Sequence, residues 1–238
     1  MSHSMVVSVN TQTAQAATQP WCLHLVWVLA AGTLGFVVAA VFAGLLRLPR
    51  VVYLVPYTLV AGTFVYSYFR WSQTSVADLI RRNWPWGLLG ALVCGVFTVK
   101  NILSQPASPR SDGLALALDL VWSGAVYGTL DALLLSVIPV LAVWNAFGKF
   151  GWANTWPGKI GVGLLALIAS LLVTAAYHAG YPEFRGPAIA APAIGNGALT
   201  LGYLITNNPL SAILGHVAMH IAGVLHGPAG VAQLPPHY

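Results

Sequence analysis

Residues 114–147 read LALALDLVWSGAVYGTLDALLLSVIPVLAVWNAF, an apolar run with only two charged side chains, Asp119 and Asp131. A helix needs about 20 apolar residues, at a rise of about 1.5 Å per residue, to cross a hydrocarbon core about 30 Å thick. This run is longer than one straight span requires, and it contains Pro139. It therefore predicts a membrane-spanning helix that is kinked or tilted.

The composition of the whole chain points to the same class of protein. Of its 238 residues, 58% are hydrophobic and only 6% are Asp, Glu, Lys or Arg, whereas soluble domains carry about 25% charged residues. This composition excludes a soluble enzyme, a disulfide scaffold and a disordered protein, and it predicts an integral, multi-pass membrane protein. The net charge of +5 does not indicate nucleic acid, because the basic residues lie at the ends of apolar runs, where they meet lipid headgroups.

The apolar runs predict an all-α, polytopic transmembrane helical bundle of about seven spans, with six to eight compatible. Pro192, Gly195 and Gly197 interrupt the sixth run, which predicts a broken helix there. Lys and Arg divide five against five between the two faces and give no orientation. The predicted spans are 21–46, 51–69, 84–99, 114–147, 160–179, 187–206 and 210–225. We expect residues 1–20 to form a flexible polar tail, 21–226 a single membrane domain and 227–238 a C-terminal tail.

Four ionisable side chains at membrane depth predict a functional site, since such residues are costly in a bilayer. Asp131 lies near the middle of its run, where its short side chain cannot reach the interface. His216 and His220 lie within the last span, and His178 ends the fifth. We therefore predict that these four residues form one buried site.

The pattern His216-x-x-x-His220 is the most informative local motif. Residues four apart share one face of a helix, with Cβ atoms about 5–6 Å apart, so two imidazoles there can chelate one metal ion. With His178 as a third ligand, the set would suit a catalytic zinc that keeps one position for water. Asp131 would be the base, a fourth ligand or a partner that orients an imidazole.

The same residues also allow structural interpretations. The histidines could bond to backbone carbonyls or tyrosine hydroxyls, and Asp131 could bond to Thr129, Tyr127 or a serine on another helix. Glu183 is a second candidate base because it is near His178 in sequence. Its alternative is a loop ion pair with Arg185.

The order of these motifs resembles the CAAX-protease and bacteriocin-processing family (CPBP, also called Abi), which are polytopic intramembrane metalloproteases with the motifs EExxxR, FxxxH and HxxxN or HxxxD. The resemblance covers residues 115–225, and His216-Val-Ala-Met-His220 is its best match. Thr174-x-x-x-His178 has the histidine of the second motif without the Phe. Leu130-Asp131-Ala-Leu-Leu-Leu-Ser136 stands at the first motif with one acid and no Arg.

The resemblance implies a zinc cofactor held by His178, His216 and His220, with Asp131 in place of the glutamate that activates the metal-bound water. It also implies a peptide or prenylated peptide as substrate. The shorter acid and the missing Arg depart from the family pattern, and they leave a metal-binding protein without peptidase activity as an alternative.

Two further functions fit the residues. Intramembrane Asp and His form proton relays, and interrupted helices mark substrate sites in carriers, which favours a proton-coupled membrane transporter. Nine Trp, nine Tyr and eight Phe would also suit a non-catalytic subunit that packs against partners in a membrane complex.

Overall fold

The computed structural model describes residues 19–237, and in this range the regular secondary structure is helical, with no strand. The predicted all-α class is therefore confirmed. The predicted N-terminal tail, residues 1–20, lies outside the described residues except for its last two.

Ten α-helical segments form the described part of the chain. They are α1 (Trp21–Val38), α2 (Arg50–Ser72), α3 (Val76–Arg81), α4 (Trp84–Leu103), α5 (Gly113–Asp119), α6 (Tyr127–Asp131), α7 (Ile138–Gly148), α8 (Trp156–Ala179), α9 (Ala190–Thr206) and α10 (Leu210–His226). Between residues 19 and 237, six helical stretches have the length and hydropathy of membrane spans, and α10 is a shorter apolar helix. The helices therefore fit a polytopic membrane protein, and six long apolar helices fall within the predicted six to eight spans, while the seventh predicted span is the shorter helix α10.

The segments α5, α6 and α7 belong to one stretch of 36 residues, Gly113–Gly148, which we call the central helix. Its most apolar part is 78% buried inside the protein, against 22% to 39% for the other five spans. Those other spans expose large apolar side chains, such as Leu29, Leu92 and Leu172, as lipid-facing surfaces do. The central helix is therefore the one around which the bundle is built.

Two π-helical segments, Leu120–Val126 and Ala132–Val137, interrupt the central helix. The second ends just before Pro139, whose missing N–H leaves the carbonyl of Leu135 without its usual donor four residues later. The Ser170 hydroxyl of α8 donates to this carbonyl at 2.6 Å. The distortion expected from Pro139 is thus a wider helical turn that a neighbouring helix stabilises.

Two glycines bring the central helix close to α10. A Cβ at Gly128 would lie 2.9 Å from the Cα of Val217, and one at Gly124 would lie 2.9 Å from Cγ1 of Ile221. Small residues four apart allow this kind of close helix approach in membranes. The approach sets the central helix, just before Asp131, against the part of α10 that carries His220.

The structure corrects the prediction of a broken sixth span. After two short 3₁₀ turns, α9 runs without interruption from Ala190 to Thr206. Pro192 falls in its first turn, where a missing N–H costs no helical hydrogen bond. The three breaker residues therefore do not unwind this helix.

Residues 227–237, which we expected to form a tail, pack back onto the bundle. Val231 and Leu234 are fully buried. Arg50 donates hydrogen bonds to the carbonyls of Pro228 at 2.6 Å and Pro236 at 3.2 Å. We call residues 227–237 the C-terminal segment, and it forms one wall of the site described next.

Candidate functional site

One cavity of about 300 Å³, which we call the central cavity, is lined by all four residues that the sequence analysis selected: Asp131, His178, His216 and His220. These residues come from the central helix, the end of α8 and α10. The remaining walls are supplied by α4, α9 and the C-terminal segment, and they include Phe97, Asn101, Pro192, Ile194, Asn196 and Gln233. Glu183, the second candidate base, is not among the lining residues.

Asp131 is the carboxylate of the cavity, and it is 5% exposed. The Tyr57 hydroxyl of α2 donates to its Oδ1 at 2.6 Å, and Nε2 of His220 lies 3.4 Å from its Oδ2. The hydrogen-bond partner is therefore a tyrosine on a different helix from those considered in the sequence analysis. Asp131 also directly precedes the second π-helical segment, a kind of distortion that is frequent at functional sites.

His178 and His216 are oriented in the same way. Nδ1 of His178 lies 2.9 Å from the carbonyl oxygen of Thr174, and Nδ1 of His216 lies 3.1 Å from that of Ala212. A carbonyl oxygen only accepts, so Nδ1 carries the proton in both rings and Nε2 presents a lone pair when the ring is neutral. The hydrogen bonds from histidine to backbone carbonyls that the sequence analysis considered are therefore present in both residues, and they leave Nε2 available for a ligand.

His220 differs from the other two histidines. Its side chain is fully buried, and its ring packs edge-on against Tyr127 with 4.6 Å between ring centroids. Within residues 19–237, neither ring nitrogen has a hydrogen-bond partner; Nε2 faces Asp131 without hydrogen-bond geometry. This is the least satisfied buried side chain of the cavity.

The donor chemistry of the cavity suits zinc, which takes imidazole nitrogen and carboxylate oxygen. The fixed Nδ1–H···O=C bonds of His178 and His216 are also typical of metal-ligating histidines. The spacing is wider than a closed site requires: in the described part of the chain, no three His, Cys, Asp or Glu side chains are close enough to hold one ion.

Behind Asp131 lies a group of five buried tyrosines that the sequence analysis did not select, which we call the tyrosine cluster. Each is fully buried, and four of their hydroxyls are hydrogen-bonded to one another. The fifth hydroxyl is that of Tyr57, bonded to Asp131. The members are Tyr53, Tyr57, Tyr127, Tyr177 and Tyr181.

A second polar group, the hydroxyl–amide cluster, lies beside the second π-helical segment. The Asn196 amide donates to Thr174 at 2.6 Å and to Ser170 at 3.0 Å, and its oxygen accepts from Ser136 at 2.8 Å. The Thr200 hydroxyl lies 2.8 Å from that of Ser170. We define the cluster as Ser136, Ser170, Thr174, Asn196 and Thr200.

No protein-family model, no curated protein and no solved structure matches this chain. The resemblance to the CPBP family therefore rests on its three short motifs alone.

Proposed function

We propose that this protein is a membrane-embedded hydrolase that cleaves an amide bond of a peptide or prenylated peptide, with a reaction centre similar to that of the CPBP family. One observation carries the proposal: Asp131, His178 and the pair His216 and His220 come from three separate helical stretches and line the same buried cavity. Ionisable side chains are expensive at membrane depth, and a purely structural role would not require four of them around one space.

In this proposal Asp131 acts first as the general base and then as the general acid. The oxygen of a water molecule attacks the amide carbonyl carbon, and Oδ2 of Asp131 accepts the proton that the water loses. The C–N bond then breaks, and the proton passes from Asp131 to the departing nitrogen. Proton transfer by a positioned side chain typically accelerates a reaction by about 10²- to 10⁴-fold. Nε2 of His220 faces the same oxygen at 3.4 Å.

Zinc is part of the proposal because of the orientation of the imidazoles. His178 and His216 would hold the ion through Nε2, and His220 would hold it through a ring nitrogen that has no hydrogen-bond partner among residues 19–237. Because no three such side chains in this range are close enough to hold one ion, the imidazoles would have to move closer together when the ion binds. When bound, the ion would polarise the carbonyl oxygen and make the water more acidic.

The first experiment measures hydrolysis and metal content on the same preparations. Full-length protein in liposomes is incubated with fluorescence-quenched peptides, with and without a prenylated cysteine, and its metal is measured by mass spectrometry. We expect cleavage and bound zinc in the wild type, and loss of zinc in the His178→Ala/His216→Ala variant.

Cleavage by a protein that contains no zinc would contradict the role of the metal and would still support a hydrolase. Absence of cleavage for both classes of peptide, by a folded protein that contains zinc, would contradict the hydrolase and leave a metal-binding protein. The variant Glu183→Gln is the control, because Glu183 does not line the central cavity.

The contact between Asp131 and His220 favours a second candidate, a proton-coupled carrier. A buried carboxylate 3.4 Å from an imidazole is an arrangement that can pass a proton. Proton uptake by loaded liposomes that survives removal of metal and is lost in His220→Ala would support the carrier. The interrupted helix that also favoured this function is absent, since α9 is continuous.

A further inference from the structure

We infer that Tyr57 is the positioning residue of Asp131: its hydroxyl holds one carboxylate oxygen, so that the other faces His220 and the central cavity. The expected effect on rate rests on the proposed hydrolase. The hydrogen bond itself has a spectroscopic readout that does not depend on any substrate.

The two oxygens of Asp131 have different surroundings. Oδ1 accepts the Tyr57 hydroxyl at 2.6 Å, within the range of an O–H···O hydrogen bond. Oδ2 faces Nε2 of His220 at 3.4 Å. Tyr57 is fully buried and does not line the central cavity, so it lies behind the carboxylate and acts through Asp131.

The ring of Tyr57 is held by three other members of the tyrosine cluster. Tyr53 stacks on it with 5.7 Å between centroids and 20° between planes, and Tyr127 meets it edge-on at 5.4 Å. Tyr177 packs at 5.6 Å. Because a tyrosine has two side-chain torsions and this ring is enclosed on several sides, its hydroxyl is a fixed donor rather than a mobile one.

A fixed donor matters here because Asp131 is a buried acid. A buried carboxylate is costly unless hydrogen bonds or charges compensate it, and a displacement of about 1 Å at a reacting group can cost about 100-fold in rate. Among the described residues, Tyr57 donates the only side-chain hydrogen bond that Asp131 receives. It lies on α2, outside residues 115–225, to which the motif resemblance is confined.

The test compares Tyr57→Phe with Tyr53→Phe. Both tyrosines are fully buried and lie one helical turn apart on α2, but the Tyr53 hydroxyl bonds to Tyr177 and Tyr181 rather than to Asp131. Infrared spectroscopy of the full-length protein in liposomes gives the carboxylate band of Asp131, assigned by its loss in Asp131→Asn. We expect Tyr57→Phe to shift this band and Tyr53→Phe to leave it unchanged.

On a hydrolysable peptide we expect kcat to fall about 10- to 100-fold in Tyr57→Phe, with KM unchanged, because Tyr57 acts on the base and not on substrate binding. Tyr53→Phe should keep kcat. If Tyr57→Phe does not fold, 3-fluorotyrosine at position 57 keeps the shape and strengthens the donor, and it should shift the band in the opposite direction to the loss of the bond.

An unshifted band in a folded Tyr57 variant would overturn the inference, and so would equal shifts or equal losses of kcat in the two Phe variants. A shifted band in a protein that cleaves no peptide would support the positioning of Asp131 and contradict the hydrolase. The two proposals can therefore fail separately.

Discussion

Two buried polar groups adjoin the second π-helical segment and meet at Asn196, which lines the central cavity, but they differ in how fully they are hydrogen-bonded. In the hydroxyl–amide cluster, each side-chain oxygen and nitrogen has a partner, mostly between 2.6 and 3.0 Å. In the central cavity, within residues 19–237, both ring nitrogens of His220 lack a hydrogen bond, and His178 and His216 use only Nδ1.

Under the proposed function, this difference distinguishes a structural group from a functional one in a chain where most buried polar residues are costly. Buried polar groups in proteins are nearly all hydrogen-bonded, and each exception needs an explanation. The hydroxyl–amide cluster is explained by the fold, because Ser170 and Asn196 serve the Leu135 carbonyl that Pro139 leaves without a donor. The histidines are not explained in this way, and their free nitrogens lie in the walls of a cavity.

The substitution Asp131→Asn should have the largest effect and tests the functional side of this comparison. The amide keeps the size of the side chain and an oxygen that accepts from Tyr57, but it does not take up a proton. We expect kcat/KM for peptide hydrolysis to fall by about 10²- to 10⁴-fold, with no loss of thermal stability.

The control for Asp131→Asn is Asp119→Asn, on the same helix. Asp119 bonds to Ser111 and does not line the central cavity, so this variant should keep its activity. A fall of less than about tenfold in folded Asp131→Asn would exclude Asp131 as the proton acceptor.

The second prediction concerns the close approach of the two helices that bring the histidines to Asp131. In Gly128→Ala the new Cβ would lie 2.9 Å from the Cα of Val217, so the central helix and α10 must separate. We expect a loss of about 1–3 kcal/mol in unfolding free energy, from denaturation in detergent, together with weaker hydrolysis. Gly62→Ala is the matched control, since a Cβ at Gly62 meets nothing within 4 Å; equal effects of the two substitutions would contradict the prediction.

The spans could be predicted from the sequence because hydrophobic length is a direct signal of a helix in a membrane. The largest error at a span start is in α8, which begins at Trp156 and not at residue 160. Thr155 caps this helix by accepting from the N–H of Gly158, and Pro157 fits its first turn. The predicted span began at Ile160, where the continuous apolar run begins after Pro157, Gly158 and Lys159, and it therefore missed the first turn of the helix.

The four ionisable residues that line the cavity could also be predicted from the sequence, because charged and imidazole side chains are rare in apolar runs. Tyr57 could not, since a tyrosine in a span carries no comparable cost and its partner lies 74 residues away. For the hydroxyl–amide cluster, the sequence predicts which carbonyl lacks a donor but not which side chain supplies one. Pro139 marks the Leu135 carbonyl as lacking a donor, but only the packing of α8 shows that Ser170 supplies one.

The third prediction tests the structural side of the comparison with Ser170→Ala. This change leaves the Leu135 carbonyl with the weaker bond from Asn196 at 3.5 Å. We expect a loss of about 0.6 kcal/mol, the average for hydrogen bonds between membrane helices, and at most about 1.7 kcal/mol, with hydrolysis retained. Ser72→Ala is the control, because that buried serine bonds to Thr74 in its own turn. If Ser170→Ala lowered kcat as much as Asp131→Asn does, the division between the two groups would be wrong.

The smallest expected effect concerns the C-terminal segment, which closes one wall of the cavity through Ala232, Gln233 and Pro235. Burial, together with the nearby positive charge of Arg50, lowers the pKa of His237 from 6.5 to about 4. The released segment binds a proton below pH 6.5 and the packed one only below about pH 4, so protonation favours release as the pH falls through this window. We expect hydrogen exchange of residues 227–237 to accelerate from pH 6.5 towards pH 4, after correction for the intrinsic pH dependence of exchange, while α10 stays protected. His237→Gln should flatten this dependence; if the dependence persisted in that variant, another group would control the wall, and the histidines of the central cavity would be the next to test.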